Sequence, residues 1–351
     1  MKEIMDILSE NGYESFVVGG YVRDYLLGFT SYDIDISTSA PIDEIIRLFK
    51  GRGVSYKEYY AYHIEDGEYS YDITTYRKEK KYKKNKPIEL EVASTLGEDL
   101  LRRDFTINTF AIDKDGNFLD LLGAKKDFDS RLIRVVGDTE KKLTEDKTRI
   151  LRAIRFFCTM EFDLDTKILD FLDKYPHYLN EIPREYIKKE LDKIFESKDY
   201  DKFFYIINNY RISKYLDITV PNQIITSYDK YGVWAQIETT LPFTKEEKKK
   251  ILNIKKIINR GSILFSDIDE FSDDVISNAA YVLGLQNRLK EMKDFKNLHS
   301  SIIDIDAGID IFLKYVKVDD IKRVYKLVEK NIIDGSLNNN KEDIEKFIKD
   351  L

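Results

Sequence analysis

Phe16–Thr38 reads FVVGGYVRDYLLGFTSYDIDIST: a short apolar strand, a glycine pair, a helix and an alternating second strand. The first strand ends at Gly19 and Gly20, where missing side chains let backbone N–H groups close on an anion as large as a triphosphate. A helix from about Tyr21 turns its positive end toward the same anion, and Arg23 adds a fixed charge. Asp33 and Asp35 stand two apart, so on a strand both carboxylates share one face while Ile34 and Ile36 point into a core. Paired oxygens of this kind suit Mg²⁺, which takes one or two carboxylates and completes its shell with phosphate and water. A glycine pair alone is commonly a turn, and Asp-x-Asp alone a solvated strand face. Their order, phosphate cradle and then metal carboxylates, is what nucleotidyl transfer requires.

The chain has 351 residues and a formal net charge of −7. That length allows two or more domains. The acidic balance argues against a chain that coats nucleic acid, but leaves room for a local basic track. A single cysteine, Cys158, excludes an internal disulfide framework and any cysteine-rich zinc site. His63, His177 and His299 lie in no ligand spacing and read as surface or core histidines. With no leader-like start and no apolar run near ~18 residues, the expectation is a cytosolic protein with no membrane segment. The many tyrosines and phenylalanines read as compositional bias, with base stacking the rarer alternative.

Up to Leu122, β patterns alternate with short helices. Ser39–Phe49 reads as a helix with Pro41 in its first turn, and Tyr69–Tyr76 as a strand carrying Asp72. Phe110–Asp113 and Phe118–Leu121 bracket Lys114-Asp115-Gly116-Asn117, which predicts a hairpin with a type I′ turn. This mixture points to an α+β fold with a mixed sheet, not a doubly wound parallel one. Beyond about Thr144 the chain reads as successive amphipathic helices, among them Thr244–Ile258, opened by a Thr244/Glu247 capping box.

Two further windows carry chemistry. Leu100–Asn108 reads LLRRDFTIN: Arg102 and Arg103 can reach phosphate, Asp104 can accept from a ribose hydroxyl or orient an arginine, and Asn108 can make amide hydrogen bonds. Glu145–Phe157 reads EDKTRILRAIRFF. Drawn as one helix, it gathers Glu145, Arg149, Arg152 and Arg155 on one side, opposite Ile150, Ile154, Phe157 and Cys158. Asp146 falls within a turn of Arg149, a spacing that an ordinary ion pair also satisfies. A carboxylate beside a guanidinium nevertheless complements the pairing edge of C or A, where an exocyclic amine adjoins a ring-nitrogen acceptor. G and U reverse that order and would be rejected.

Together these strings resemble the DNA-polymerase-beta-like nucleotidyltransferase superfamily and, within it, the class II tRNA nucleotidyltransferase and poly(A) polymerase family. GGYVRDYLLGFTSYDIDIST is similar to that family's first motif. LLRRDFTIN is similar to its second, with Thr109 where Ala is usual. EDKTRILRAIRF is similar to its EDxxR motif, and DLLGAKKDFDSRLIRVVG from Asp120 to its head–neck hinge. EYIKKEL at Glu185–Leu191 departs by placing Tyr186 where Arg is usual. The resemblance implies a metal-dependent enzyme that adds CCA to tRNA from CTP and ATP. In it Asp33 and Asp35 hold Mg²⁺, Asp72 is a candidate third carboxylate, and Gly19, Gly20, Arg23, Arg103, Asp104 and Asn108 surround the nucleotide. It further implies that Asp146 and Arg149 act as a protein template, with Arg152 and Arg155 near phosphate or that pair. The corresponding regions are a beta-polymerase-like head at 1–138, a neck at 139–200, a body at 201–265 and an RNA-binding tail at 266–351. No obligate protein partner is evident. Family members that add only CC, only A, or poly(A) share these motifs, and a non-catalytic RNA-binding protein on the same head is a further alternative. Arg77–Lys86, RKEKKYKKNK, lies where CCA-adding members carry a flexible loop; it reads either as that loop, solvated, or as a phosphate-contacting strand.

Overall fold

The computed structural model describes residues 1–197, 200–221, 224, 227–264, 266–298, 305–317 and 320–351. These fall into two compact units, Met1–Asp217 and Ile218–Leu351.

The first unit opens with α1 (Lys2–Glu10), β1 (Ser15–Val18), α2 (Gly20–Leu26), β2 (Asp33–Thr38) and α3 (Ile42–Leu48). There follow β3 (Val54–Tyr56), β4 (Ala61–Asp66), β5 (Tyr69–Thr75), β6 (Arg77–Lys83), β7 (Lys86–Val92), α4 (Leu96–Leu100), β8 (Ala111–Ile112) and β9 (Phe118–Leu119). Seven of these strands form one sheet in the order β3-β4-β5-β2-β1-β8-β9. Only β2 and β5 run parallel, so the sheet is mixed, as the alternating pattern predicts. Alternation along β2 buries Ile34 and Ile36 in a core with Leu8, Val17, Val22, Phe49, Ile73 and Phe110, leaving Asp33 and Asp35 on the opposite face. Pro41 caps α3 from just outside its first turn.

One local expectation is corrected, and of two alternatives for a second segment the strand is found. In the β8–β9 hairpin only Gly116 has positive φ, whereas a type I′ turn needs two such residues. Asp113 organises the loop instead, its carboxylate accepting from the backbone of Asp115 and Asn117. Arg77–Lys86 is not an open loop. It forms β6, the turn and the start of β7, with Lys84 and Asn85 both at positive φ.

The rest of this unit is helical: α5 (Lys125–Asp129), α6 (Thr139–Glu145), α7 (Thr148–Thr159), α8 (Thr166–Lys174), α9 (Arg184–Glu196) and α10 (Tyr200–Tyr210), with a small parallel pair, β10 (Leu132–Ile133) and β11 (Asp163–Leu164). The single helix drawn through Glu145 is thus two. Asp146 adopts an extended conformation at φ −134°, ψ 98°, and its Oδ1 accepts from the Thr148 N–H and hydroxyl. A short polar side chain that satisfies a free N–H at a helix start competes with continuing the previous helix. In α7, Ile150, Ile154, Phe157 and Cys158 are buried as expected, but so are Leu151, Ala153, Phe156 and Arg149.

The second unit contains β12 (Ile218–Thr219), α11 (Lys230–Trp234), β13 (Glu238–Thr239) and α12 (Lys245–Arg260). It continues through α13 (Asp267–Glu270), α14 (Asp273–Leu283), α15 (Gln286–Leu298), α16 (Ile309–Tyr315), α17 (Ile321–Ile333) and α18 (Lys341–Lys349). The Thr244/Glu247 capping box is formed. No helix among the described residues is long and apolar enough to cross a membrane.

Candidate active site

The strand order lines up the site. Gly19 closes β1, Asp35 lies on β2 with Val18 as its cross-strand partner, and Asp72 lies on β5 directly opposite Asp35. Three carboxylates, Asp33, Asp35 and Asp72, therefore share one sheet face. Gly19 has φ +79°, and a Cβ there would stand 2.6 Å from Asp35 Oδ2 and 2.7 Å from an Arg103 terminal nitrogen. Only glycine permits that backbone and that approach. Desolvation pushes the Asp35 carboxyl upward; the Arg103 guanidinium, 3.8 Å away, opposes this and the Asp72 charge adds to it. A carboxylate that is costly to ionise beside another carboxylate is what a cation would relieve. Asp33 accepts from Ser70 Oγ at 2.7 Å. Among the described residues no group of three or more His, Cys, Asp or Glu could by itself enclose a metal ion. The set fits an ion that keeps open positions for substrate phosphate.

The arginines of the second motif are held from behind. Asp99 is fully buried and accepts from Ser37 Oγ, the Arg77 N–H and Arg102 Nε. Burial alone would raise its carboxyl, yet the Arg102 and Arg103 charges hold it below the usual range. Arg103 Nε is buried without a hydrogen-bond partner, as is Arg77 Nε. Both arginines line one cleft with Asp35 and Asp72, where a guanidinium can pair with an anion.

A second group joins Arg23, Asp104, Asn108 and Arg152. Arg23 donates to Asn108 Oδ1 at 2.7 Å and to Asp24, and Asn108 donates to Asp104 at 2.9 Å. Asp104 in turn accepts from Arg152 Nε at 2.7 Å. Burial would raise the Asp104 carboxyl, but Arg152, Asn108 and the Phe105 N–H together drive it far down. Asp104 thus orients an arginine, one of the two roles its sequence allowed. Arg155 does not reach this chain; its Nε pairs with Glu190 at 2.7 Å. The Arg23, Arg152 and Arg155 guanidiniums all lie over the Phe156 ring.

The third pair is close but engaged. Arg149 Nε lies 3.8 Å from Asp146 Oδ2, while its terminal nitrogens donate to the Lys142 carbonyl at 3.0 Å and to Tyr82 Oη at 2.8 Å. Tyr82 donates to Glu79, and Glu79 also stands 3.5 Å from Arg102, linking this pair to the carboxylate cleft. Arg149 is therefore not on an exposed polar face. The tip of the β6–β7 hairpin reaches the same place: Asn85 accepts from the Lys147 N–H and donates to the Glu181 carbonyl.

Some site residues had no sequence signal. His63 spans Asp72 and Glu65, 2.8 Å from each, and hydrogen bonds to Glu65 and Asp72 raise its pKa. His177 is exposed among tyrosine rings, and His299 lies outside the described residues. Glu190 sits in the EYIKKEL string, where it was legible as a motif member but not as the partner of Arg155. Tyr186, at the departure from that motif, has its hydroxyl pKa raised, chiefly by burial and then by the Glu190 charge, with the Arg152 charge opposing.

A glycine cradle, carboxylates on adjacent strands of a mixed sheet and a bank of arginines define a beta-polymerase-like nucleotidyltransferase, the class of enzyme for which a divalent metal is general. A family model described as the Poly A polymerase head domain matches residues 15–134. A CCA-adding enzyme of Ligilactobacillus salivarius is 30% identical over 335 residues, covering 91% of this chain and 77% of that protein. One of Bacillus pumilus is 28% identical over 384 residues, covering 98% and 95%. One of Oceanobacillus iheyensis is 37% identical over 216 residues, spanning 61% of this chain and only 54% of that protein. Among solved structures, the Bacillus stearothermophilus CCA-adding enzyme in complex with CTP superimposes with TM-score 0.77 at 20% identity, covering 99% of this chain and 96% of that one. The Thermotoga maritima CCA-adding enzyme complexed with tRNA gives 0.69 at 22%, covering 99% and 93%. These last two likenesses concern the fold. The chain belongs to the CCA-adding enzyme family.

Proposed function

We propose that this protein adds CCA to the 3′ end of tRNA, taking nucleotidyl groups from CTP and ATP with Mg²⁺ as the metal. The observation that carries the reading is the convergence of Gly19, Asp35 and Arg103 beside Asp72, with the Asp146/Arg149 pair joined to the same network through Glu79. Gly19, Gly20 and Arg23 would cradle the triphosphate, with Arg103 and Arg152 beside it. The RNA 3′-hydroxyl attacks the α-phosphorus, a new P–O bond forms, and the bond to the β-phosphate breaks to release pyrophosphate. Asp33 and Asp35 would hold the Mg²⁺, which when bound would supply charge neutralisation and a lower pKa for that hydroxyl. Asp72 stands on the side from which the hydroxyl arrives, and His63 holds one of its oxygens. Positioning and charge supply most of the catalysis in such a transfer.

Asp146 and Arg149 would read the donor–acceptor edge shared by C and A. For that, Arg149 must exchange the Lys142 carbonyl and Tyr82 for the base, so nucleotide selection includes a rearrangement against the β6–β7 hairpin. In this reading 1–138 is the catalytic head, 139–200 the template-bearing neck, 201–265 the body and 266–351 an RNA-binding tail. The test is purified protein with tRNA ending before CCA, after CC, or complete, and each nucleotide in turn. CMP should enter the first, AMP the second and nothing the third. Extension of the complete tRNA, or no incorporation at all, would refute the reading.

A further inference from the structure

The strand order has a directional consequence. Attacking and leaving oxygens lie roughly in line on opposite sides of the transferred phosphorus. The cradle closes β1, on one flank of β2, so the leaving pyrophosphate occupies that side. The nucleophile must then arrive from the other flank, across β5. Beyond Asp72 in that direction come His63 on β4 and, opposite it on β3, Val54, with Tyr56 two residues further along the same strand face, opposite Ala61.

A cleft of about 360 Å³ opens there, lined by Asp35, Asp72, Tyr56, Tyr59, Arg77 and Arg103 among others. Such a volume is at the small end for ligand sites and has room for about one nucleotide. Tyr56 and Tyr59 expose 45% and 38% of their surface, although both are large rings beside a charged cleft. Arg77 is mostly buried. One terminal nitrogen donates to the Tyr59 carbonyl and its backbone N–H donates to Asp99, yet its Nε is buried without a partner. Glu79, its nearest carboxylate at 3.9 Å, is shared with Arg102 and Arg149. An arginine that lines the cleft with its charge matched by a shared carboxylate can pair with an anion that the protein does not supply.

We infer that this cleft seats the 3′-terminal nucleotide of the acceptor RNA, with Tyr56 and Tyr59 against its base and Arg77 on its phosphate. The inference rests on the nucleotidyl-transfer reading above and adds to it the position of the acceptor strand. Burial draws the Arg77 pKa down to about 10, with Arg102 contributing, so it stays charged at neutral pH. Exposed rings beside an arginine are the combination that holds single-stranded ends without regard to sequence. That tolerance is required here, because the terminal nucleotide changes at each addition.

The experiment is steady-state CMP incorporation into tRNA lacking CCA, with KM measured separately for RNA and CTP, and RNA affinity measured against salt. Arg77→Met should raise KM for RNA about tenfold or more, the effect of losing one charge-assisted hydrogen bond. It should also flatten the salt slope by about 0.7, and leave KM for CTP unchanged. Arg77→Lys should recover the salt slope. Tyr56→Ser and Tyr59→Ser, at exposed positions, should each raise KM for RNA about fivefold or more through lost stacking. A rise in KM for CTP with none for RNA would overturn the inference by making Arg77 a triphosphate contact. Loss of thermal stability with both KM values unchanged would overturn it by making Arg77 a strut. Wild-type protein that incorporates nothing would refute the underlying function; active wild type with either of the other two results refutes the acceptor seat alone.

Discussion

Gly19→Ala puts one methyl group where the site has least room. The backbone there, at φ +79° and ψ −142°, approaches a region that only glycine occupies comfortably. Forcing alanine into it costs about 1–3 kcal/mol. The new Cβ would lie 2.6 Å from Asp35 Oδ2 and 2.7 Å from the Arg103 nitrogen, where ordinary contact begins at 3.4 Å. Each group must therefore retreat by roughly 0.7 Å, and a misplacement near 1 Å costs about a hundredfold in rate. Gly28→Ala is the matched control: φ is +78°, but nothing lies within 4 Å of its added Cβ. Urea denaturation should show both variants destabilised, while single-turnover CMP incorporation falls about a hundredfold in Gly19→Ala alone. Equal rate losses in the two variants, or a Gly19→Ala rate within threefold of wild type, would refute the argument from crowding.

Asp35→Asn keeps the shape of a metal carboxylate but not its charge, and should lower incorporation of both C and A about a thousandfold; near-normal turnover of folded protein would remove Asp35 from the metal site. Asp104→Asn leaves Arg152 without its carboxylate and should cost about 2 kcal/mol in urea titration, less than a fully buried pair because Arg152 is partly exposed; unchanged stability would show the pair to be incidental. His63 has its pKa raised by Glu65 and Asp72. Its contribution to stability is full below the ordinary value of 6.5 and fades as pH rises through the raised value. His63→Gln should therefore lose stability relative to wild type at pH 6 and lose less at pH 8.5, measured by thermal unfolding, and a pH-independent difference would contradict the assignment.

Much of the head was legible because its signals are local. The glycine pair, the two-residue spacing of Asp33 and Asp35, and the apolar alternation around them each need only a few neighbouring residues, and all three appear in β1, α2 and β2. Thr244 and Glu247 likewise cap a helix they belong to. What escaped depends on side chains competing with the regular pattern, or on residues far apart in sequence. Asp146 stops α6 by accepting from Thr148, which the helical wheel could not weigh, and so Arg149 turns inward to Tyr82 instead of outward. Asp113 replaces a type I′ turn by bonding two backbone N–H groups of its own loop. His63 meets Asp72 only because β4 and β5 pair in that register, and Arg77 reaches Tyr59 across the sheet edge.

The central claim is that this protein itself chooses C and A. Single-nucleotide incorporation on tRNA lacking CCA and on tRNA ending in CC, with CTP, ATP, UTP and GTP offered separately to each, tests it on wild type, Asp146→Ala and Arg149→Ala. Wild type should accept CTP, accept ATP once CC is in place, and reject UTP and GTP. Each variant should lose roughly five- to hundredfold of that selectivity, since one base-edge contact is worth ~1–3 kcal/mol. If both variants keep the wild-type ratios of C and A to U and G, Asp146 and Arg149 are an ion pair at a helix start and not a template.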